Sequence, residues 1–585
     1  MSFLRKKWLV SLLLFLLSLG VYLPSLRNSF VWDDVETIEQ SYYMYNASSI
    51  GYMFMPPEKE AKEALYYRPL IYASMVLDKV LWGVSAFGFH LSNIVLNALS
   101  AVLMYLFVLL LLGVFEYEGK YQAAFISGVL FALYPMHVES VSWVSGRSDV
   151  LCALFFFLAL ISHILSLRKT GFLLLTAAGF FLSLLSKETA VIFPVTVLAF
   201  DLLNRSPGRK ANILRYAAYA CVLVLFFYLR GRAYINIPEL SSVRVSGGMT
   251  GPEGVSRIAG ALGVVKVMLA SYIYYYTKLV FPFTFNAFTE SAPDGLRYIF
   301  VAVMVFGLTA LGAAYSIKKR KNAAAFALLW MPVTLFPSVL ISLTDIPSAS
   351  VAERYLYIPS AGFCLLLGCI FSRPLSTVRN KNAVLTAAFL LSASYLFFTV
   401  DRQLVWRDGI TLWEDTARKS PLSYIPHINY GIALLDAGKE DEALKELLRN
   451  FEKGVKINDK GRSVTANNIG VVYINKKDIR NAEKWFLKAY GYDPGYYKSS
   501  YHLGLVNYLK GKSGGSREDF LASEGHTKNA LRMRPFYGKA YLLLAMVYAE
   551  LGDGEKSREN AGLAIESGLT DSLAEKAREI MRTPH

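Results

Sequence analysis

Residues 382–409 read NAVLTAAFLLSASYLFFTVDRQLVWRDG, and the change of character inside them decides the fold. From 382 to 400 no side chain is charged, and a stretch of about 20 mostly apolar residues is what a bilayer-spanning helix needs. From Asp401 onward the chain turns charged, with Gly and Lys at short intervals. Upstream, apolar runs recur near 8–24, 90–114, 121–136, 149–167, 171–186, 188–203, 211–230, 297–316, 324–343 and 355–372. The pattern predicts an all-α chain: a polytopic transmembrane helical bundle over 1–400, a connector over 401–425 and a soluble helical array over 426–585. With 54% hydrophobic and 18% charged residues, the whole does not have the composition of a soluble globular protein.

The net charge of +16 raises the question of a nucleic-acid partner. Many of the basic residues, however, sit in short loops between apolar runs, where they orient a membrane protein, so no nucleic-acid partner is predicted. Cys152, Cys221, Cys364 and Cys369 all lie in apolar runs with no CxxC spacing, which gives neither a disulfide framework nor a zinc site. The N-terminus, MSFLRKKWLVSLLLFLLSLGVYLPS, has the basic start and apolar middle of a signal peptide but no small-residue cleavage site; it is read as an uncleaved first helix.

Segment 263–281 carries Lys266, Lys278 and the tyrosines Tyr272, Tyr274, Tyr275 and Tyr276, a composition suited to lying at the interface, with the tyrosines as an aromatic belt. Leaving it uncrossed gives about eleven spans, and it keeps Arg168 and Lys169, Arg205, Arg209 and Lys210, Lys318 to Lys321, and Arg373, Arg379 and Lys381 all in the cytoplasm. The isolated charged residues then fall on the opposite side: Asp33, Asp34, Arg68, His137, Glu139, Arg147, Asp149, Lys187, Glu188, Glu290, Asp345, Glu353 and Arg354. Charge at a membrane rim is costly and marks a site, here expected as a polar cavity facing one compartment. The C-terminal array falls on the same side.

That array repeats. Asn429-Tyr430-Gly431 is followed by Asp436, Gly438 and Ala443; Asn468-Ile469-Gly470 by Tyr473, Ala482, Phe486, Ala489 and Pro494; Leu503-Gly504 by Tyr508, Ala530 and Pro535; Leu544-Ala545 by Tyr548, Gly552 and Ala564. The small-residue anchors are spaced by 39, 34 and 41 residues. This is the 34-residue tetratricopeptide pattern with insertions, of which GKSGGSR at 511–517 is read as a flexible one. Such helix pairs stack into a solenoid with a concave face, fitted either to a purely structural rod or to binding a peptide or protein.

Several charged residues carry candidate chemistry. Asp33 and Asp34, in FVWDDVETI, are adjacent acids that raise each other's pKa, and one of them can act as a general base; the alternative is a helix cap. Arg68, in YYRPL, sits before a proline that fixes the local backbone, where a guanidinium either grips a phosphate or snorkels at the interface. His137 and Glu139, two residues apart, do not have zinc-motif spacing; with Arg147 and Asp149 they form a polar rim for sugar or phosphate, or bond to one another. Lys187 and Glu188 pair in a turn or neutralise a phosphate, and Glu353 and Arg354 open another span, with Tyr355 and Tyr357 alongside. No Gly-rich phosphate loop is present: SVSGGMTGPEG lacks the lysine and strand of a P-loop, so an activated sugar must arrive on a lipid.

In order along the chain stand WDD, YRPL, FHLSNIVLN, LYPMHVESVSWVSGRSDVL, SKETAVIFPVTVLAFDLL and AERYLYIPSAGFCLLLG, followed by the repeats. Together they resemble the transmembrane and tetratricopeptide-repeat O-mannosyltransferase family, membrane glycosyltransferases of GT-C type, over nearly the whole chain. The resemblance implies inverting transfer of a sugar, mannose favoured, from a polyprenyl-phosphate carrier to Ser or Thr of an acceptor protein held by the repeats. It maps the base onto Asp33 or Asp34, with Asp33 preferred and Asp34 organising the site. Arg354, Arg147 and Arg68 would receive the leaving phosphate. No metal ligands and no cofactor are predicted, although a divalent cation is known in parts of this broad fold. The short loops favour a bacterial inner membrane with site and repeats periplasmic; in a eukaryote the equivalent is the endoplasmic reticulum with lumenal repeats. The competing reading is a non-catalytic membrane-anchored scaffold for an envelope or secretion complex, which would not need the outward acids. A transporter is disfavoured because the two halves show no internal symmetry.

Overall fold

The structure, a computed structural model, describes residues 3–39, 50–54, 67–204, 209–235, 261–290, 292, 295–343, 351–372, 381–569 and 571–582. Asp345, Arg205, Arg373, Arg379 and the 245–254 loop discussed above lie outside these residues. Among the described residues the regular secondary structure is helical, apart from two isolated bridges, Thr289 with Val351 and Ser423 with Lys456. It divides into two units: Met1–Asp34 with Asn46–Asp408, and Val35–Tyr45 with Gly409–His585.

The first unit is the membrane bundle, and all eleven predicted segments are helical. Seven helices are long and apolar enough to cross a bilayer: Ala86–Val114, Arg147–Ser166, Ile213–Ala233, Leu296–Lys318, Asn322–Ile341, Glu353–Ser372 and Asn382–Val405. Lys120–Ala132 and Pro135–Ser142 together form an eighth candidate, bent by 47°. The bend falls where Pro135 opens a 3-10 turn, because proline cannot donate to the preceding turn. Lys7–Val21 and Phe172–Ser186 are apolar but shorter, at 15 residues each. The segment expected near 188–203 is a 3-10 turn, Glu188–Ile192, running into the helix Phe193–Asn204.

The tyrosine stripe departs from expectation. Tyr272, Tyr275 and Tyr276 are buried inside the unit and do not form an interface belt. Their helix, Ala261–Val280, packs on Leu296–Lys318 and Asn322–Ile341, so its bulkiest face is the one its neighbours cover. The Tyr272 ring meets Phe306 edge-on at 4.7 Å, and the Tyr272 hydroxyl donates to the Pro332 carbonyl. Of the cysteines, Cys152, Cys364 and Cys369 are buried, while Cys221 is on an exposed helix face.

The second unit is a tetratricopeptide-like α-solenoid. Helix pairs form from Tyr424–Asp436 with Glu440–Leu448, Asp459–Asn475 with Ile479–Tyr492, Tyr497–Gly514 with Arg517–Met533, and Gly538–Leu551 with Gly554–Glu566. Gly409–Lys419 packs before them and Asp571–Arg582 after. A Cβ at Gly470 would lie 2.4 Å from the Phe486 ring, so the anchor must be glycine for the pair to close. Asp478 and Asp553 cap the second helices by accepting from the amides of Asn481 and Lys556. The wide spacings also have structural causes. The 39-residue interval contains a 3-10 turn, Arg449–Phe451, and the stretch leading to Asp459. In the 41-residue interval the helix Tyr497–Gly514 is itself lengthened to 18 residues. GKSGGSR is therefore helical up to Gly514, with Gly511 packed on Phe520, and is not the flexible insertion expected.

Candidate active site

The chain leaves its first helix through a 3-10 turn, Leu23–Arg27. Ser25 Oγ lies 2.7 Å from Ser142 Oγ and donates to Gln403 Oε1 at 2.8 Å, which ties this exit to two other elements of the unit. Trp32 then adopts a left-handed conformation, φ 61°, which is rare for a bulky residue and marks local strain. Its indole stacks on Trp143, with centroids 4.9 Å apart. The strained turn separates the two acids: Asp33 is exposed and Asp34 is fully buried.

Asp34 is held by one polar turn. Its Oδ1 accepts from the Ser145 amide at 2.9 Å and the Ser145 hydroxyl at 2.6 Å, and its Oδ2 accepts from the Val31 amide at 3.2 Å. Burial pushes its pKa up from 3.8 to about 7, aided by the negative charge of Asp33 and opposed by the Ser145 and Val31 hydrogen bonds.

The turn carrying Ser145 is built from inside the bundle. Asn93 Nδ2 donates to the carbonyls of Val141, Trp143 and Val144. Asn93 Oδ1 accepts from Arg147 Nε at 2.5 Å, and Arg147 Nη2 pairs with Asp78 at 2.5 Å and donates to the Phe89 carbonyl. Gly146 has no room for a side chain: a Cβ there would sit 2.6 Å from the Glu139 carbonyl. Arg147 was expected at the carrier phosphate. The structure places it with no exposed surface and with protein partners, where it fixes the Trp143–Gly146 turn.

Trp143 connects this turn to the cations. The Arg354 guanidinium lies 5.3 Å from the Trp143 ring and 5.2 Å from that of Tyr355. Its Nη1 pairs closely with Glu139 Oε1, and its backbone amide donates to Glu139 Oε2 at 3.0 Å. Lys187 Nζ sits 4.6 Å over the Tyr355 ring and 2.6 Å from Asp149. Lys187 and Arg354 share the Tyr355 ring, and Arg68 is paired with Glu188, the residue that follows Lys187, which gathers the three cations in one region. Arg68 reaches Glu188 through Nε and Nη2, each at 3.0 Å, and is the partly exposed member. Glu353 faces Lys278 at 2.9 Å, the Asn286 amide at 2.6 Å and Arg402 at 3.8 Å. His137 lies apart from this chemistry: it is buried among Phe131, Tyr134 and Tyr357, with Nε2 bonded to Ser360 at 2.8 Å.

The sequence reading missed Asp78, Asn93, Ser145, Lys278 and Arg402. Their partners lie far away along the chain, as in the separation of 111 residues between Asp34 and Ser145, and no local motif signals such pairing. Among the described residues no cluster of three His, Cys, Asp or Glu could hold a metal ion.

Fold and site together define a polytopic membrane protein with an acid pair and a cation cluster on one polar frame, joined in sequence to a tetratricopeptide-like array. No family model matches the chain. It is similar to a protein O-mannosyl-transferase of Caenorhabditis elegans, 26% identical over 76% of this chain and 62% of that one. It is also similar to protein O-mannosyl-transferase TMTC4 of Mus musculus, 26% identical over 73% of this chain and 64% of that one. TMTC1 of Homo sapiens is 27% identical over 65% of this chain and 47% of its own length. The family resemblance read from the ordered motifs is thus borne out, and the chain spans less than two thirds of the length of these curated relatives. Among solved structures the crystal structure of MamA protein aligns with 27% of this chain and 80% of its own at a TM-score of 0.21 and 16% identity. A score that low carries no argument here.

Proposed function

We propose that this chain is a membrane glycosyltransferase that transfers a sugar, mannose favoured, from a polyprenyl-phosphate carrier to a Ser or Thr hydroxyl of a protein. The observation that carries the reading is the shared frame. One turn, Trp143–Gly146, bonds the acid Asp34 through Ser145 and supports the cation Arg354 through Trp143. An acid and a cation cluster held by the same rigid turn are the two things an inverting transfer needs.

In this reading Asp33, exposed beside the buried Asp34, takes the proton from the acceptor hydroxyl. The acceptor oxygen forms a bond to C1 of the sugar as the bond from C1 to the phosphate oxygen breaks. Polyprenyl phosphate leaves with the bonding electron pair, and Arg354, Lys187 and Arg68 receive its charge. Asp34 organises the turn that presents Asp33. Arg147 acts as a positioning residue by fixing the Trp143–Gly146 turn, and His137 takes no part in the step, being packed among Phe131, Tyr134 and Tyr357. Asp149, Glu188 and Glu139 hold the three cations in place until the phosphate competes for them, and Glu353 orients Lys278 and Arg402 beside them. The site faces the side opposite the basic loops, the periplasm in a bacterium or the lumen in a eukaryote.

The test is transfer from a panel of radiolabelled polyprenyl-phosphate sugars into protein, in membranes carrying the chain. Label from the mannose donor supports the reading in full, label from another sugar revises the donor, and no label from any donor favours the scaffold.

A further inference from the structure

The end of the membrane unit away from the acid pair carries a basic turn that the transfer chemistry does not use. Lys318, Lys319, Arg320 and Lys321 join the helices Leu296–Lys318 and Asn322–Ile341, and all four are exposed. Asn322 Nδ2 donates to the Leu203 carbonyl at 3.0 Å, which sets the turn beside the end of Phe193–Asn204. That helix alone carries the chain about 18 Å from the Glu188–Ile192 turn that follows Lys187. The sequence holds no Asp or Glu between Asp294 and Asp345, so neither helix supplies a counter-charge. Among the described residues none of the four cations is in an ion pair, and Lys321 Nζ lies 5.7 Å over the Tyr315 ring. The turn also has a fixed shape. The Lys321 amide donates to the Ser316 carbonyl at 2.8 Å and the Arg320 amide to the Ile317 carbonyl at 3.0 Å, closing the helix end. This closure needs a left-handed residue, and Arg320 supplies it at φ 54°. Glycine meets that need without strain, as Gly438 and Gly552 do elsewhere in the chain, yet a guanidinium stands here. The helix before the turn presents an exposed apolar stripe. Val301, Met304, Leu308, Leu311 and Tyr315 recur at helical spacing, and the next position of the stripe is Lys318. A lipid chain lying on the stripe therefore brings its headgroup to the turn.

We propose that the turn at 318–321 binds the phosphate headgroup of an anionic phospholipid whose chains lie along the 301–315 stripe. Basic residues at this end orient the chain in any case, and orientation depends only on their number. A site needs more. Here the cations have no counter-charge, one of them is held at the left-handed position, and an apolar track leads directly to them. Arg320 grips the phosphate with two parallel hydrogen bonds, and the lysines add charge around it. The occupant is a lipid and not a soluble anion, because track and turn are continuous on one helix. The inference is independent of the transferase reading.

The test is electron paramagnetic resonance of spin-labelled lipids around the full chain in phosphatidylcholine bilayers, with no sugar donor present. The probes are phosphatidylglycerol and phosphatidylcholine, each labelled on an acyl chain. Phosphatidylglycerol is expected to associate about fivefold more strongly than phosphatidylcholine, and less so as salt rises. K318Q/K321Q keeps Lys319 and Arg320 to orient the chain and is expected to lose most of that preference. R320G removes the guanidinium and relieves the backbone, and is expected to lower the preference about twofold without lowering the melting temperature. R168Q/K169Q removes the same charge as K318Q/K321Q from the turn after Arg147–Ser166, at the same end of the unit, and is expected to keep the preference. An unchanged melting temperature in K318Q/K321Q separates lost binding from lost folding. Four results would overturn the proposal: no preference for phosphatidylglycerol in the parent chain, its displacement by millimolar glycerol phosphate, equal loss in K318Q/K321Q and R168Q/K169Q, or a preference unchanged in both K318Q/K321Q and R320G.

Discussion

Asp34 and Ser145 are joined twice, through the Ser145 amide at 2.9 Å and its hydroxyl at 2.6 Å, although 111 residues separate them. These two hydrogen bonds from one serine to one acid tie the first loop to the bundle, because Ser145 sits on the turn that also carries Trp143 under Arg354. Replacing Ser145 by Ala removes one of the two hydrogen bonds and leaves the amide. Transfer is expected to fall, while Asp34→Asn falls further because all three contacts to Asp34 change. Initial rates in matched membranes check the order; equal activity of Ser145→Ala and the parent chain would contradict it.

The raised pKa of Asp34 has a sign that can be measured. A carboxyl whose pKa rises from 3.8 unfolded to about 7 folded binds its proton more tightly in the folded state. Its contribution to stability is therefore fully present below about pH 4 and is lost as pH rises through 7. The melting temperature of the purified chain should fall between pH 5 and pH 8 more steeply than that of Asp34→Asn. Asp33→Asn removes a neighbouring negative charge, so the fall should shift to lower pH.

Arg147 and Asp78 form a buried pair, and removing one partner strands the other. Arg147→Met should destabilise the membrane unit by about 3–5 kcal/mol, and Arg147→Met with Asp78→Leu should recover much of that loss. Unfolding in detergent is the measurement. A phosphate ligand role for Arg147 predicts the opposite pattern, with stability intact and transfer lost.

Arg354 and Glu139 separate folding from chemistry in the same way. Arg354→Gln alone leaves Glu139 buried and unpaired and should lower both stability and transfer. The double variant with Glu139→Gln should regain stability but not transfer, since loss of one preorganised charge stabiliser costs about 100- to 1,000-fold in rate.

In the solenoid, Lys477 holds φ 60° at the turn position that Gly438 and Gly552 fill in the first and fourth pairs. A side chain is strained in that region and glycine is not. Lys477→Gly should stabilise the repeat unit by about 1 kcal/mol, read as a rise in its thermal transition. A fall would show that contacts of the Lys477 side chain outweigh the strain.

The membrane helices were legible because apolar length is a local property: each of the eleven predicted segments is helical. The repeats were legible because small residues recur wherever paired helices touch, as at Gly470 on Phe486. The acid pair and the cations stood out as isolated charges between apolar runs. What the sequence could not give was partnership. Arg147 and Arg354 look alike as rim arginines, and only packing shows that one is tied down by Asp78, Asn93 and Phe89 while the other lies between aromatic rings beside Lys187. The tyrosines of Ala261–Val280 misled for the same reason. Composition gives the chemistry of a helix face but not which face a neighbour covers.

The most direct test of the account is transfer of label from polyprenyl-phosphate mannose to protein by the parent chain and by Asp33→Asn, both at matched levels in membranes and with matched melting temperatures. The account predicts that Asp33→Asn lowers the rate by about 100- to 10,000-fold, the range of a general base, without loss of donor binding. Transfer that proceeds undiminished in Asp33→Asn would contradict it.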